Sequence, residues 1–191
     1  AGACGACMIL VDGKPTRACL LTIAKVQNKE LLTLEGFTGR EKEIYGWAFA
    51  KAGAVQCGFC IPGMVVSAKG LLDVNSSPTR DEIRKTIRGN ICRCTGYQKI
   101  VEAIEMAAQA LRGEIEHEPV EDRAYRIGEF MPRVDAKPKT LGIGEYVEDM
   151  VLPGMLYGSA LRTPTPRAFI KPIDACAARV IPGVHAVLTA D

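Results

Sequence analysis

Apolar and polar residues alternate at the start of the chain, and the period then changes. Met8-Ile9-Leu10-Val11 and Thr16-Arg17-Ala18-Cys19-Leu20-Leu21 flank Asp12-Gly13, and an Asp-Gly pair between two strand-like runs predicts a β-hairpin. Thr33-Leu34-Glu35-Gly36 predicts a further strand. From residue 40 the period is helical: Ile44, Trp47 and Ala48 fall on one stripe of a first helix that ends near Gly53. Pro62 suits the first turn of a second helix, with Met64, Val65, Ala68, Leu71 and Leu72 along its apolar face. Thr79-Arg80-Asp81-Glu82 has the form of a capping box, opening a third helix that points Ile83 and Ile87 inward and stops at Gly89. A fourth carries Ile100, Ile104, Ala107, Ala108 and Leu111 and ends at Gly113. Four helices with short connections predict a compact bundle.

Beyond Gly113 the period is lost. Residues 114–126 hold Glu114, Glu116, Glu118, Glu121 and Asp122 around Pro119, as expected of an exposed linker. Strand-like pieces follow at 144–147, 155–161, 169–173 and 184–188, separated by Pro153-Gly154, Pro164 to Pro166 and Pro182-Gly183. These resemble the opening of a larger α/β domain. The chain begins inside a glycine-rich cysteine loop, without an initiator methionine or a preceding strand, and stops in the strand-like run ending at Asp191. Both termini are therefore expected to be cut.

With 191 residues, 48% of them apolar, the chain can form one large core or two to three small ones. Its 24 basic and 22 acidic residues are interspersed and leave a formal charge of +2. That provides no basic face for nucleic acid and no polybasic anchor. No apolar run approaches the roughly 18 residues of a membrane span, and no segment reads as a cleavable signal. The expected location is the cytoplasm.

The chemistry lies in the spacing of eight cysteines: Cys4, Cys7, Cys19, Cys57, Cys60, Cys92, Cys94 and Cys176. Disulfide scaffolds spread their cysteines through short secreted chains, whereas most of these sit in tight pairs on glycine-rich turns, as metal ligands do. Cys4 and Cys7, with Cys19 after the hairpin, supply three thiolates on loops whose amides can approach sulfur closely, which suits a bridged iron cluster. In the plant-type ferredoxin spacing C-x4-C-x2-C a first ligand would lie five positions before Cys4, outside this chain. The second group is complete, with Cys57-x2-Cys60 and Cys92-x-Cys94 each preceding a helix and 31 residues between the pairs. Helix N-termini stabilise thiolate charge. The alternative is a structural zinc site, which the same four ligands could build.

Two long segments, Gly53-Ala-Val-Gln-Cys-Gly-Phe-Cys-Ile-Pro-Gly-Met64 and Gly89-Asn-Ile-Cys-Arg-Cys-Thr-Gly-Tyr97, closely resemble the iron–sulfur region of the molybdenum hydroxylases, the xanthine dehydrogenase and aldehyde oxidoreductase family. Cys4-Gly-Ala-Cys7, Val11-Asp-Gly-Lys-Pro15 and Arg17-Ala-Cys19 resemble its ferredoxin-like β-grasp domain. Met131-Pro-Arg-Val-Asp135, Tyr146-Val-Glu-Asp-Met150, Pro153-Gly-Met-Leu-Tyr-Gly158 and Pro182-Gly-Val184 resemble the start of its molybdopterin-binding portion. The resemblance implies an α+β fold class. It divides into a partial β-grasp [2Fe-2S] domain over 1–37, a four-helix [2Fe-2S] domain over 38–113, a linker over 114–126, and the start of an α/β molybdopterin-binding domain over 127–191.

The same resemblance implies a molybdenum-dependent oxidoreductase of which this chain carries the electron-transfer part. Cys57, Cys60, Cys92 and Cys94 would ligate the pterin-side cluster, and Cys4, Cys7 and Cys19 the outer one. Gln56 and Cys94 would also touch the molybdopterin cofactor, whose remaining ligands would lie beyond Asp191. The short linker implies a flavin-free arrangement, similar to the aldehyde oxidoreductases and the selenium-dependent purine hydroxylases. The implied partners are the rest of the molybdopterin-binding portion or subunit and an electron-acceptor protein or flavin subunit. Leu20-Leu21, Arg40-Glu-Lys-Glu-Ile-Tyr45 and Phe49 look more like the purine hydroxylases, which favours a purine or similar N-heterocycle, with an aldehyde as the alternative. A freestanding electron carrier or zinc module is the reading from another class.

The remaining candidates have plainer roles. Cys176 is expected to be a small core residue, and Trp47, Phe37 and Phe59 to be packing residues. His117 and His185 have no partner at metal spacing, and the opening glycines match no phosphate loop.

Overall fold

The computed structural model describes residues 2–117 and 126–189. Most of the expected acidic linker, 118–125, lies outside the described residues. Strands β1 (Met8–Val11) and β2 (Lys14–Arg17) pair antiparallel with Val11 opposite Lys14, so the connection is the two residues Asp12 and Gly13. Both have positive φ, 48° and 75°, the conformation in which a two-residue turn follows the twist of its strands. The Asp12 carboxylate accepts from Lys29 Nζ at 2.6 Å and from the Glu30 N–H at 3.0 Å. These bonds draw the chain back after the one-turn helix α1 (Ile23–Val26), so that β3 (Leu31–Leu32) pairs with β1 on the other side. The sheet order is β2-β1-β3.

The expected strands at both ends of this unit are shorter than the pattern suggested. β2 ends at Arg17, and Ala18–Leu20 form a 3-10 turn that carries Cys19. Thr33–Gly36 does not continue β3: Leu34–Gly36 is a second 3-10 turn, which buries Leu34 and turns the chain toward the helices. An extended continuation would alternate its side chains between two faces, and only one face of this small sheet is covered.

Helices α2 (Gly39–Lys51), α3 (Ile61–Leu72), α4 (Arg80–Ile87) and α5 (Tyr97–Leu111) follow. Capping boxes start α2 and α4. Thr38 Oγ1 accepts from the Glu41 N–H at 3.2 Å and Glu41 Oε2 accepts from the Thr38 N–H at 2.8 Å; Thr79 and Glu82 repeat the arrangement at 3.3 and 2.7 Å. Each cap contributes about 0.5–2 kcal/mol. α2 packs on α5, and α3 packs on α4 and on β1. Ile44, Phe49, Met64, Val65, Ile83, Ile100 and Ile104 are fully buried between them. A helix without a sequence signal, α6 (Ala136–Thr140), lies against α2 and α3, with Ala136 and Thr140 buried and Lys137 Nζ 2.8 Å from Glu43 Oε2.

Contacts divide the chain into two compact units, Ala1–Met150 and Val151–Asp191. Among the described residues the second unit contains one helix, α7 (Cys176–Arg179), and no strand. The strands expected at 155–161, 169–173 and 184–188 are therefore not formed, nor is the one at 144–147, where Val147–Asp149 is a 3-10 turn. Pro153, Pro164, Pro166, Pro172 and Pro182 withdraw backbone donors at short intervals. Leu161 and Phe169 stand fully exposed, so nothing anchors a register. No helix among the described residues is long and apolar enough to cross a membrane.

α3 comes closest to the sheet unit at Gly63, where a Cβ would stand 2.3 Å from the Gly5 carbonyl oxygen and 3.1 Å from that of Ala6. Backbone on both sides leaves nothing flexible to yield. Gly63→Ala is expected to cost about 1–3 kcal/mol, read as a lower midpoint in urea unfolding followed by circular dichroism. An unchanged midpoint would mean that α3 and this loop are not seated together.

Candidate metal centres

Two sets of thiols are assembled by helix ends and by the hairpin, and all eight cysteines are free. In the larger set, Cys57 and Cys60 come from the loop between α2 and α3, with Cys60 at the N-cap of α3 and its carbonyl accepting from the Met64 N–H at 3.1 Å. Cys92 and Cys94 come from the loop between α4 and α5. Cys60 and Cys92 are buried, Cys94 is half-buried and Cys57 exposed. The thiols interact in sequence: Cys57 with Cys94, Cys94 with Cys92, and Cys92 with Cys60. Burial pushes the Cys60 thiol up to about 12, helped by the facing thiols of Cys92 and Cys57. Cys94 is held below the usual thiol range by the Cys57 backbone N–H and then by its thiol.

Around this set the polar groups are used. The Cys92 N–H donates to Tyr97 Oη at 2.8 Å. Gln56 Nε2 donates to the Cys94 carbonyl at 3.3 Å, so the two residues expected at a pterin stand together. Among the described residues no three His, Cys, Asp or Glu side chains are gathered tightly enough to hold a single metal ion; the thiols touch pairwise rather than around one point. As a donor set they fit a thiolate-ligated group, since four sulfurs facing one another on two loops, one of them already held below the usual thiol range, present soft anionic ligands to positive charge.

The hairpin builds the second set. The Ala18 N–H donates to the Cys7 carbonyl at 3.0 Å, which sets Cys19 beside Cys7. The Cys7 thiol is lowered by the Cys19 backbone N–H against the effect of burial, while Cys19 is raised by the Cys7 thiol, by burial and by the nearby charges of Cys7 and Cys4. Cys4 and Cys19 are exposed and Cys7 half-buried. The described residues thus bring together all three cysteines expected here.

A seam joins the sets. The Ile91 N–H donates to the Cys4 carbonyl at 2.8 Å, Asn90 Nδ2 to the Gly5 carbonyl at 3.0 Å, and Arg17 Nη2 to the Gly89 carbonyl at 3.0 Å. Asn90 Oδ1 lies 2.9 Å from Ser67 Oγ, which is also 2.9 Å from the Gly63 carbonyl. One hydroxyl proton serves one of these acceptors at a time. Asn90 and Ser67 are both buried.

Asn90, Tyr97, Lys139 and Tyr146 were not singled out from the sequence. For Asn90 and Tyr97 a signal existed, since both lie inside the segment around Cys92 and Cys94. Cys176 is not the core residue expected but exposed at the start of α7, its N–H donating to Asp174 Oδ1 at 2.9 Å. Phe59 is exposed as well, where packing was expected. Phe37 is buried, and Trp47 packs edge-on against His117 with ring centroids 6.3 Å apart. His185 is exposed.

Paired cysteine loops at helix ends beside a small antiparallel sheet define an iron–sulfur protein, and a family model described as a [2Fe-2S] binding domain matches residues 33–105, which include all four cysteines of the larger set. A second, described as the aldehyde oxidase and xanthine dehydrogenase a/b hammerhead domain, matches residues 141–191. The chain is 36% identical to an aldehyde oxidoreductase of Megalodesulfovibrio gigas over 98% of its own length and 22% of that protein's. It is 43% identical to the nicotinate dehydrogenase small FeS subunit of Eubacterium barkeri, over 56% of this chain and 69% of that one. The solved aldehyde oxidoreductase of Desulfovibrio desulfuricans superposes with a TM-score of 0.67 at 41% identity, covering 78% of this chain and 17% of that one. The chain belongs to the molybdenum hydroxylase family of xanthine dehydrogenases and aldehyde oxidoreductases. It spans about a fifth of the aldehyde oxidoreductases it matches.

Asn90 has the clearest test. Asn90→Ala removes the 3.0 Å side-chain donor from the buried Gly5 carbonyl and leaves it only the longer 3.3 Å bond from the Met8 N–H, a loss of about 0.5–1.5 kcal/mol. Hydrogen exchange should then show faster exchange at the Ile91 amide, which donates to Cys4, while the interior of α5 is unchanged.

Proposed function

We propose that this chain is the electron-transfer portion of a molybdenum hydroxylase, holding two [2Fe-2S] clusters between a molybdenum centre and an electron acceptor. The observation that carries the reading is the seam: two thiol sets whose loops are joined directly, the Cys4 carbonyl bonded to the amide of the residue before Cys92. Each [2Fe-2S] cluster supplies one-electron redox chemistry when bound. Cys57, Cys60, Cys92 and Cys94 hold the inner cluster in this proposal, and Cys4, Cys7 and Cys19 the outer one. Gln56 and Cys94 face the molybdopterin cofactor. Burial of Cys60 and Cys92 keeps water from part of the inner site, and the Tyr97 hydroxyl fixes the backbone of the Cys92 loop.

The division into residues 1–37, 38–113, 114–126 and 127–191 is proposed with it. So are its partners: the molybdopterin-binding portion or subunit, and an acceptor protein or flavin subunit. The cytoplasm is the proposed location, because thiolate ligand sets persist where thiols are kept reduced. The proposed substrate is a purine or related N-heterocycle, supported by the similarity of the cysteine-bearing segment to a nicotinate dehydrogenase subunit. An aldehyde is the second reading, favoured by a relative matched along 98% of the chain that is an aldehyde oxidoreductase.

Metal analysis and low-temperature EPR test the first claim. The intact protein should contain about four irons in two spectroscopically distinct [2Fe-2S] signals after reduction, without stoichiometric zinc. One zinc with a single EPR signal would make the Cys57 to Cys94 set a structural zinc site. Turnover of the intact enzyme with xanthine and with benzaldehyde tests the substrate. Xanthine oxidation is expected, and oxidation of benzaldehyde alone would overturn the N-heterocycle reading.

A further inference from the structure

Lys139 is the one charged residue among the described buried side chains. It belongs to α6, and its stem crosses the loop that carries Cys57 and Cys60. A Cβ on Gly58, between those cysteines, would stand 2.8 Å from both Cβ and Cδ of Lys139; one on Gly144 would stand 2.6 Å from its Cγ. The lysine is thus threaded between two positions that have no side chain. Its Nζ lies 3.0 Å from Asp135 Oδ2 and 4.6 Å from the ring centroid of Tyr146. The Tyr146 hydroxyl in turn donates to the Cys57 carbonyl at 3.0 Å. One side chain therefore connects α6, the tyrosine and the cysteine loop.

The charges around it do not cancel. Asp135 also receives the Arg133 guanidinium, Nη2 to Oδ2 at 3.0 Å and Nε to Oδ1. Two cations facing one carboxylate leave a surplus of one positive charge. The cysteine thiols lie within electrostatic range: the Tyr146 hydroxyl is raised by burial and then by Cys57, Asp135 and Cys60, and Arg133 is influenced by Cys57 after Asp135. A buried ammonium is costly unless compensated, and Asp135, shared between two cations, compensates only in part. The face of the Tyr146 ring, 4.6 Å from Nζ, adds to it, and negative charge gathered on the adjacent cysteine loop would add more.

We propose that Lys139 is a positioning residue for the inner cluster, clamping the Cys57–Cys60 loop through Gly58 and Tyr146 and setting positive charge beside it. This rests on the ligand assignment made above. A reduced cluster carries one more negative charge than an oxidised one, so the lysine favours reduction at the inner site and leaves the outer site unaffected.

The test is an EPR-monitored redox titration of the purified intact enzyme, its Lys139→Met variant, which keeps the stem and removes the charge, and its Asp135→Asn variant, which removes the compensating carboxylate. Lys139→Met should shift the inner cluster's reduction equilibrium about tenfold toward the oxidised form, roughly 59 mV lower for one electron, with the outer cluster unmoved. Asp135→Asn should shift the inner cluster the opposite way. An inner potential unchanged in Lys139→Met, or both clusters moving together, overturns the role of Lys139 while the ligand assignment stands. Should Lys139→Met lose the inner signal, Asp135→Asn decides: an upward shift supports the role, and no shift or a downward one overturns it. A parent enzyme without two distinct signals overturns the ligand assignment and this inference with it.

Discussion

Both thiol sites depend on one contact, the docking of the Cys4–Cys7 loop against α3 and residues 89–91. Backbone meets backbone there, because Gly63 has no side chain to hold the loop away. Such closeness brings carbonyls into the interior, where an unpaired one costs about 1–3 kcal/mol. Each is met: Cys4 by the Ile91 N–H, Gly5 by Asn90, and Gly89 by Arg17. Asn90 is suited to its place because its amide has both a donor and an acceptor end, one for Gly5 and one for Ser67. The hairpin and the helices are thus fixed to each other at the residues flanking the cysteines, so the spacing of the two sites is set by rigid elements rather than by a linker.

Charge imposes the second requirement. Bringing Cys57, Cys60, Cys92 and Cys94 together makes deprotonation costly at Cys60, where burial contributes most and the facing Cys92 and Cys57 add to it. Helix ends and amides offset part of this, as the Cys57 N–H does for Cys94. The surplus positive charge of Arg133, Asp135 and Lys139, set beside the Cys57–Cys60 loop, acts in the same direction. A set built this way binds a cationic group by releasing protons, which couples folding of the two loops to occupancy. The outer set is more exposed, and its thiols are balanced chiefly between Cys7 and Cys19.

Features written in short-range chemistry were legible in the sequence. Asp12-Gly13 specified the hairpin because a two-residue turn with positive φ at both positions matches the strand twist, and Asp and Gly adopt that φ readily. Thr79 and Glu82 marked a helix start because the capping box is a contact between residues three apart. The cysteine pairs were legible because ligand spacing along a loop is itself local. Features decided by distant partners were not. Leu34 was read as strand, but burial of its side chain bends the chain into a 3-10 turn. The apolar pieces after residue 150 alternate like strands, yet no partner aligns with them and prolines interrupt each approach. Lys139 gave no signal at all, since a lysine in a polar segment reads as exposed until Gly58 and Gly144 are found on either side of it.

The segment from Arg133 to Tyr146 also shows that a boundary drawn by family and one drawn by packing need not coincide. The hammerhead family match begins at residue 141, yet the first compact unit continues to Met150. Residues 141–150 belong to both descriptions. Within that overlap, Gly142 rests near Pro62 and Leu34, Gly144 accommodates the Lys139 stem, and Tyr146 holds the Cys57 carbonyl. The chain therefore seals the cysteine loop with the residues in which the next family domain begins. Loss of the Tyr146 hydroxyl, or a side chain added at Gly144, therefore bears on the cysteine loop as well as on the residues that follow.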